Sequence, residues 1–242
     1  PLTLQPDEKA QTAAQAFERY DLVSAPVVDK DNKLVGRVTV NAVVDYIRES
    51  TETEQLSRAG LREGEDIFAS VWDSVKNRWS WLAVNMVTAF IASRVIGAFE
   101  GSIEKLVALA ALMPIVAGIG GNSGNQTITM IVRALALGQV QQESARVLLR
   151  KEIGVAMVNG LIWGSLLGFV AWWLYRSVAL GAVMTAAMML NLIVAATVGV
   201  AVPLLRQRLG YDPAIGSSVL ITAVTDSGGF FIFLGLATLF LM

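Results

Sequence analysis

One carboxylate of this 242-residue chain stands deep inside an apolar stretch. Asp226 lies in VTDSGGFF, where Thr222, Thr225, Ser227, Gly228 and Gly229 supply hydroxyls and small, close-approach positions. A second segment, PIVAGIGGNSGNQTIT at 114–129, offers the neutral amides of Asn122, Asn125 and Gln126 among Pro114, Gly118, Gly120, Gly121 and Gly124. Carboxylate, hydroxyl and amide oxygens are hard ligands of the kind that suit Mg²⁺ and its neighbours rather than soft metals. Other chemistries are closed to the chain. It has no Cys and no His, hence no zinc cage, thiol nucleophile or imidazole base. A formal charge of −1 lacks the basic field that nucleic acid requires. Besides an ion ligand, Asp226 could be a protonated, hydrogen-bonded group at a helix contact or a proton relay.

The elements around these residues read as membrane spans. The chain is 54% hydrophobic with a mean hydropathy of +0.56, and the excess is uneven. Residues 1–78 hold ten Lys/Arg against fourteen Asp/Glu; residues 79–242, more than twice as many, hold nine against six. A span needs about 20 mostly apolar residues. About five such runs follow Trp79: roughly 79–99, 106–131, 154–175, 182–205 and 214–241. Soluble helices alternate a polar face with an apolar one, whereas Gly160–Trp173 and Phe230–Met242 carry no charge on any face. Met184, Met188 and Met189 are expected to be packing residues.

In this frame Asp226 sits about 12 residues into the fifth span, about 18 Å along its axis. An insertion cost of roughly 2.5–3.5 kcal/mol marks such a residue as functional by default. The glycines and Pro114 are expected to interrupt regular helix, which at membrane depth is tolerated only in protein or beside a water-filled path. If the N-terminal part is cytoplasmic, inner loops hold Arg133, Arg146, Arg150, Lys151, Arg206 and Arg208, and outer loops only Lys105 and Arg176. That agrees with the positive-inside rule and predicts an external C-terminus.

Residues 3–49 read as helix, strand, turn, strand, helix. Ala10, Ala13, Ala14 and Phe17 form a helical stripe, Ala25–Val28 a short buried strand, Asp29–Lys33 a polar turn, and Leu34–Val40 a second strand. Val43, Val44 and Ile47 begin another helix. The segment SAPVVDKDNKLVGRVT resembles one CBS module (1–49). Such modules pair, so a lone copy implies a partner. The nucleotide pattern of these modules ends in an Asp that holds ribose, but Ala42 occupies that position here, which weakens the case for nucleotide binding. Residues 50–78 carry Glu52, Glu54, Glu63, Glu65 and Asp66 among helix formers and read as an acidic connecting helix. The chain opens on Pro1 without a signal-like segment, as expected of a piece that begins inside a longer protein.

Together, the CBS module, the acidic helix, five spans, GGNSGNQ (120–126) and the Asp of the last span resemble the MgtE-type magnesium channels. The fold class expected is mainly α: a polytopic membrane protein of about five helices (79–242), preceded by a small α/β module and the connecting helix. The resemblance implies a homodimer in a bacterial inner or cell membrane, with a pore lined by the second and fifth spans. Asp226 matches the family's pore aspartate, and Asp212 in GYDPA a second acidic position near the cytoplasmic mouth. Ser218 stands where the family often has Asn. Mg²⁺ is implied as transported ion and as regulator, with Asp45, Glu52 and Glu54 as gating residues on a module and helix that plug the pore.

Charge arithmetic points the same way as that homodimer. One carboxylate half-neutralises a divalent ion, whereas two Asp226 on a twofold axis supply both charges. Mg²⁺ keeps several waters and uses one or two carboxylates, with Asn122, Asn125 and Thr222 as further oxygen donors. The rival function is a proton-coupled secondary carrier for Mg²⁺, Mn²⁺ or Co²⁺. An intramembrane aspartyl enzyme is disfavoured, because Asp212 and Asp226 are about 21 Å apart by helical rise. No P-loop or phosphorylation motif suggests ATP hydrolysis.

Overall fold

The structure is a computed structural model; it describes residues 2–58, 60–61, 68–136, 145–214 and 216–242, the side chains of Glu54, Ser57 and Arg58 excepted. Two compact units divide the chain, Pro1–Gly64 and Glu65–Met242.

The first unit follows the expected order: α1 (Ala10–Tyr20), β1 (Ser24–Val28), β2 (Leu34–Thr39) and α2 (Val40–Arg58). The strands pair antiparallel, Ser24 opposite Thr39 and Val27 opposite Gly36. The polar turn forms around Asp29, whose Oδ1 accepts from the backbone N–H of Asp31 and Lys33. Phe17, Ala14, Ala25, Val43 and Leu4 make a small core. The strand expected to be buried is so only at Ala25; Pro26, Val27 and Val28 are half-buried, and Leu34 and Val35 of β2 are exposed. A two-stranded sheet with helices on one side leaves its other face open. The first part of the stretch expected as an acidic connecting helix is helical, carried by α2 through to Arg58. Glu63, Glu65 and Asp66 lie outside the described residues.

Among the described residues the second unit holds six helices: α3 (Val71–Gly97), the short α4 (Glu100–Lys105), α5 (Ala108–Ala136), α6 (Ala145–Tyr175), α7 (Val178–Arg208) and α8 (Ser217–Leu241). Helix α3 begins at Val71, inside the expected connecting stretch and eight residues before the apolar run that opens at Trp79; Ser70 caps it, its Oγ accepting from the Asp73 N–H at 3.2 Å. Among the described residues four helices, α3, α6, α7 and α8, are long and apolar enough to cross a membrane. Of the five spans expected, α5 falls short in mean apolarity because Asn122, Asn125, Gln126 and two threonines occupy its second half. It is nonetheless 29 residues long and packs between α7 and α8.

The residue distribution is that of a membrane protein. Leu82, Met86 and Phe90 on α3, with Leu161, Ile162 and Phe169 on α6, point outward. The interior is tight and built on small residues. Gly160, Gly164 and Gly168 lie at successive four-residue steps on α6, where a Cβ would run into Met189, Thr185 and the Gly181 backbone of α7. Thr185 Oγ1 completes this seam, lying 3.0 Å from both the Gly164 and the Gly181 carbonyl oxygens. Met184 and Met188 are fully buried packing residues.

The segment 114–129 corrects an expectation. It lies wholly inside α5, Pro114 included, and is not an interruption. Away from water a backbone has no better alternative than its own hydrogen bonds, so glycines that would unwind a soluble helix are kept helical. They serve close approach instead.

Candidate functional site

Helices α5 and α8 meet at glycines. A Cβ on Gly121 would stand 3.5 Å from Thr225 Oγ1, and one on Gly124 only 2.7 Å from Ile221 Cδ1. Rising numbers on α5 meet falling numbers on α8, so the pair is antiparallel. Asn122 and Asp226 each follow a member of the Gly121–Thr225 contact. They therefore lie within about 3 Å of one level along the bundle.

Neither belongs to the packed core. Asp226 is half-buried on α8, with Thr222 exposed and Ser218 half-buried at successive four-residue steps on the same face. On α5, Pro114, Gly118, Asn122, Asn125, Thr129 and Arg133 recur every three or four residues, all exposed except the half-buried Asn125. Among the described residues no hydrogen bond reaches the Asp226 carboxylate or the side-chain amides of Asn122 and Asn125. Thr222 Oγ1 donates to the Ser218 carbonyl at 3.0 Å, leaving the lone pairs of its hydroxyl free for a cation. The two stripes thus present acceptor oxygens outward at mid-helix, where hydrocarbon would leave them unsatisfied. Among the described residues no cluster of three or more Asp, Glu, His or Cys forms. A cation at Asp226 would complete its ligand set with amide, hydroxyl or backbone oxygens, water, or a second copy of the chain.

Asp212 is placed differently from Asp226. It is exposed in the turn before α8, its Oδ1 accepting from the Ala214 N–H at 2.8 Å and its carbonyl from Arg206 Nε at 3.0 Å. The helix starts at Ser217 rather than Ala214, after Pro213 and a left-handed Gly216 (φ 72°). Ser217 alone is about 14 Å along the axis from Asp226. Asp45 and Glu52 are exposed on α2 of the other unit, seven residues apart and hence on one face; the Glu54 side chain lies outside the described residues. In that unit a cavity of about 240 Å³ is lined by Leu4, Glu8, Val27, Val38, Ala42 and Tyr46 among others, with Ala42 contributing no ribose-binding oxygen.

Two polar residues of the interior escaped the sequence reading. Asn191 of α7 is fully buried and donates from Nδ2 to the Val116 carbonyl at 2.9 Å. Glu152 of α6 is 4% exposed and accepts from Thr127 Oγ1 of α5 at 3.1 Å. The available signal was a lone amide inside a twenty-residue apolar run, and a carboxylate at the edge of another.

Comparison with known proteins decides the family. The pattern for MgtE, a divalent cation transporter family, matches residues 113–236, which contain α5 almost entire, α6, α7 and most of α8; the CBS domain pattern matches 1–49. The chain belongs to the MgtE family. Named relatives agree with that membership. The magnesium transporter MgtE of Thermus thermophilus is 34% identical over 238 residues, covering 97% of this chain and 52% of the relative. Those of Bacillus subtilis (31% over 234 residues) and Enterococcus faecalis (27% over 231) each cover 96% of this chain and 51% of the relative. The chain spans about half the length of the curated relatives it matches. It is a multi-pass membrane protein of a transporter family, not of an enzyme family.

Proposed function

We propose that this MgtE-family chain conducts Mg²⁺ across the membrane down its electrochemical gradient, as a homodimer in which paired Asp226 side chains bind the ion. The observation that carries this function is the outward acceptor surface at mid-membrane: Asp226 and Thr222 of α8 beside Asn122 and Asn125 of α5. Such a surface must face water or another copy of the chain, and a twofold axis beside it satisfies both needs. Two carboxylates balance the divalent charge, and the amides and hydroxyls replace part of the hydration shell while several waters stay. Asp212, at the N-terminal approach to α8, serves as an entry charge that concentrates cations at the mouth.

Orientation and regulation complete the proposal. Arg133, Arg146, Arg150, Lys151, Arg206 and Arg208 fall at the C-terminal ends of α5 and α7 and the N-terminal end of α6. This supports a cytoplasmic position for that end, with the N-terminal part inside and Met242 outside. Residues 1–49 act as the regulatory module and 50–78 as its link to the pore region, 79–242. Asp45, Glu52 and Glu54 take up cytosolic Mg²⁺ and close the pore when it is plentiful. Ala42, in place of the ribose-holding Asp, weakens the case for nucleotide as the regulator of this module.

The test is ion flux into proteoliposomes under an imposed membrane potential or an imposed proton gradient. Uptake driven by potential, without a proton gradient, supports the channel. Uptake that follows the proton gradient instead assigns a proton-coupled carrier of Mg²⁺, Mn²⁺ or Co²⁺ working through Asp226.

A further inference from the structure

The described interior of the second unit is apolar except at a few positions, and one of these, Asn191 of α7, touches both α5 and α8. It sits on α7 among Met184, Ala187, Met188, Leu192 and Ala195, all within 2% of full burial. Its Nδ2 bonds to the Val116 carbonyl of α5, seventy-five residues away in the chain. A Cβ placed on Gly120 of α5 would collide with the amide, its Cγ lying at 3.0 Å; one on Gly229 of α8 would meet Nδ2 at 2.7 Å and Cγ at 3.1 Å. The amide is thus clasped between two glycines, one on each helix that carries the acceptor stripes. Gly120 precedes Asn122 by two residues, and Gly229 follows Asp226 by three.

Among the described residues its Oδ1 has no hydrogen-bond partner, although it is buried from solvent. A leucine there would fill the space with no unpaired acceptor, so packing alone does not call for asparagine. What a leucine could not supply is a directional tie. Apolar contacts let helices slide and rotate, whereas a hydrogen bond to one chosen carbonyl fixes register.

We propose that Asn191 is a positioning residue for ion discrimination: wedged between Gly120 and Gly229 and bonded to Val116, it sets the spacing of α5 and α8 and so the separation of Asn122 from Asp226. The ion-discrimination half rests on the conducting function proposed above. Mg²⁺ takes oxygens at 2.0–2.1 Å in near-octahedral order and Ca²⁺ takes them at 2.3–2.6 Å. Selection between them depends on small differences in cavity size, and the spacing of two helices is such a difference.

The test compares wild type, Asn191→Leu, and the cycle of Gly120→Ala, Asn191→Ala and the double variant. Two readouts are used. The first is the Mg²⁺ over Ca²⁺ permeability ratio in proteoliposomes. The second is the spin-label distance between cysteines introduced at Met130 of α5 and Leu220 of α8, both exposed, in a chain with no cysteine of its own. Expected is a folded Asn191→Leu that still conducts, with the ratio reduced about tenfold, the loss typical of an outer-shell partner, and a shifted or broadened distance distribution. Gly120→Ala should lower the melting temperature alone and do little in the Asn191→Ala background. A wild-type ratio and wild-type distances in Asn191→Leu would overturn the proposal. Were that variant not to fold, additive effects in the Gly120–Asn191 cycle would overturn it and non-additive effects would support it. A wild-type protein that passes no divalent ion defeats the conducting function, while the distances and the cycle still decide the positioning role.

Discussion

Gly121 and Thr225 bring the backbones of α5 and α8 together at the level of the candidate ion site: a Cβ on Gly121 would lie 3.5 Å from Thr225 Oγ1. The contact couples the GGNSGNQ segment to the aspartate helix. Each partner is followed by an acceptor-bearing residue, Asn122 on one side and Asp226 on the other. Packing and site are therefore two sides of one helix pair.

Gly124 is the next glycine along that contact, and it has less room. A side chain there would start 2.7 Å from Ile221 Cδ1 and 3.1 Å from Cγ1, inside a cluster that includes Ile128 and Val132. Gly124→Val should destabilise by about 1–3 kcal/mol. The melting temperature of the detergent-solubilised protein should fall accordingly. Gly154→Ala on α6 is the control: its Cβ meets nothing within 4 Å, and its melting temperature should not fall below wild type.

Thr127 of α5 supplies the hydroxyl that Glu152 of α6 accepts, a bond between two helices that otherwise meet through α7. Lys151 lies 3.6 Å from Glu152, but its side chain is 63% exposed and compensates the buried carboxylate weakly. Thr127→Val keeps the shape and removes the donor. It should cost about 1–3 kcal/mol, the penalty for leaving a buried acceptor without its partner. Thr127→Ser should retain most of the stability; equal melting temperatures for the Val variant and wild type would show that the bond contributes nothing.

Much of the candidate site was legible in the sequence, for one physical reason. Asp226, Asn122 and Asn125 are polar groups in surroundings that penalise them, so type and depth alone single them out. The helical state of 114–129 was not legible, because the reluctance of glycine and proline to be helical describes chains that can turn to water instead. Asp212 resembled a helix-edge residue until Pro213 and Gly216 were seen to delay α8 to Ser217. Asn191 was least visible of all. Its burial depends on Gly120 and Gly229 leaving room on two other helices, and no local window contains that relationship. In the first unit the order of elements was readable from Phe17, Ala25 and Val43, but the openness of β2 was not, since Leu34 and Val35 look like core residues in isolation.

Asn122 and Asn125 should tune the ion rather than hold it. Each is a neutral ligand, so Asn122→Ala and Asn125→Ala remove an oxygen without changing the charge that draws the ion in. Both variants should fold and conduct, with a Mg²⁺ over Ca²⁺ permeability ratio altered by several-fold. Ratios unchanged in both would assign the amides to packing between copies.

The central claim is that Asp226 binds the permeating ion, and Mg²⁺ flux into proteoliposomes of wild type beside Asp226→Asn tests it most directly. Removing a half-buried charge relieves part of its desolvation cost, so the variant should fold at least as well as wild type. With a membrane potential imposed, wild type should take up Mg²⁺ and a folded Asp226→Asn should not. Equal uptake by the two would contradict the account.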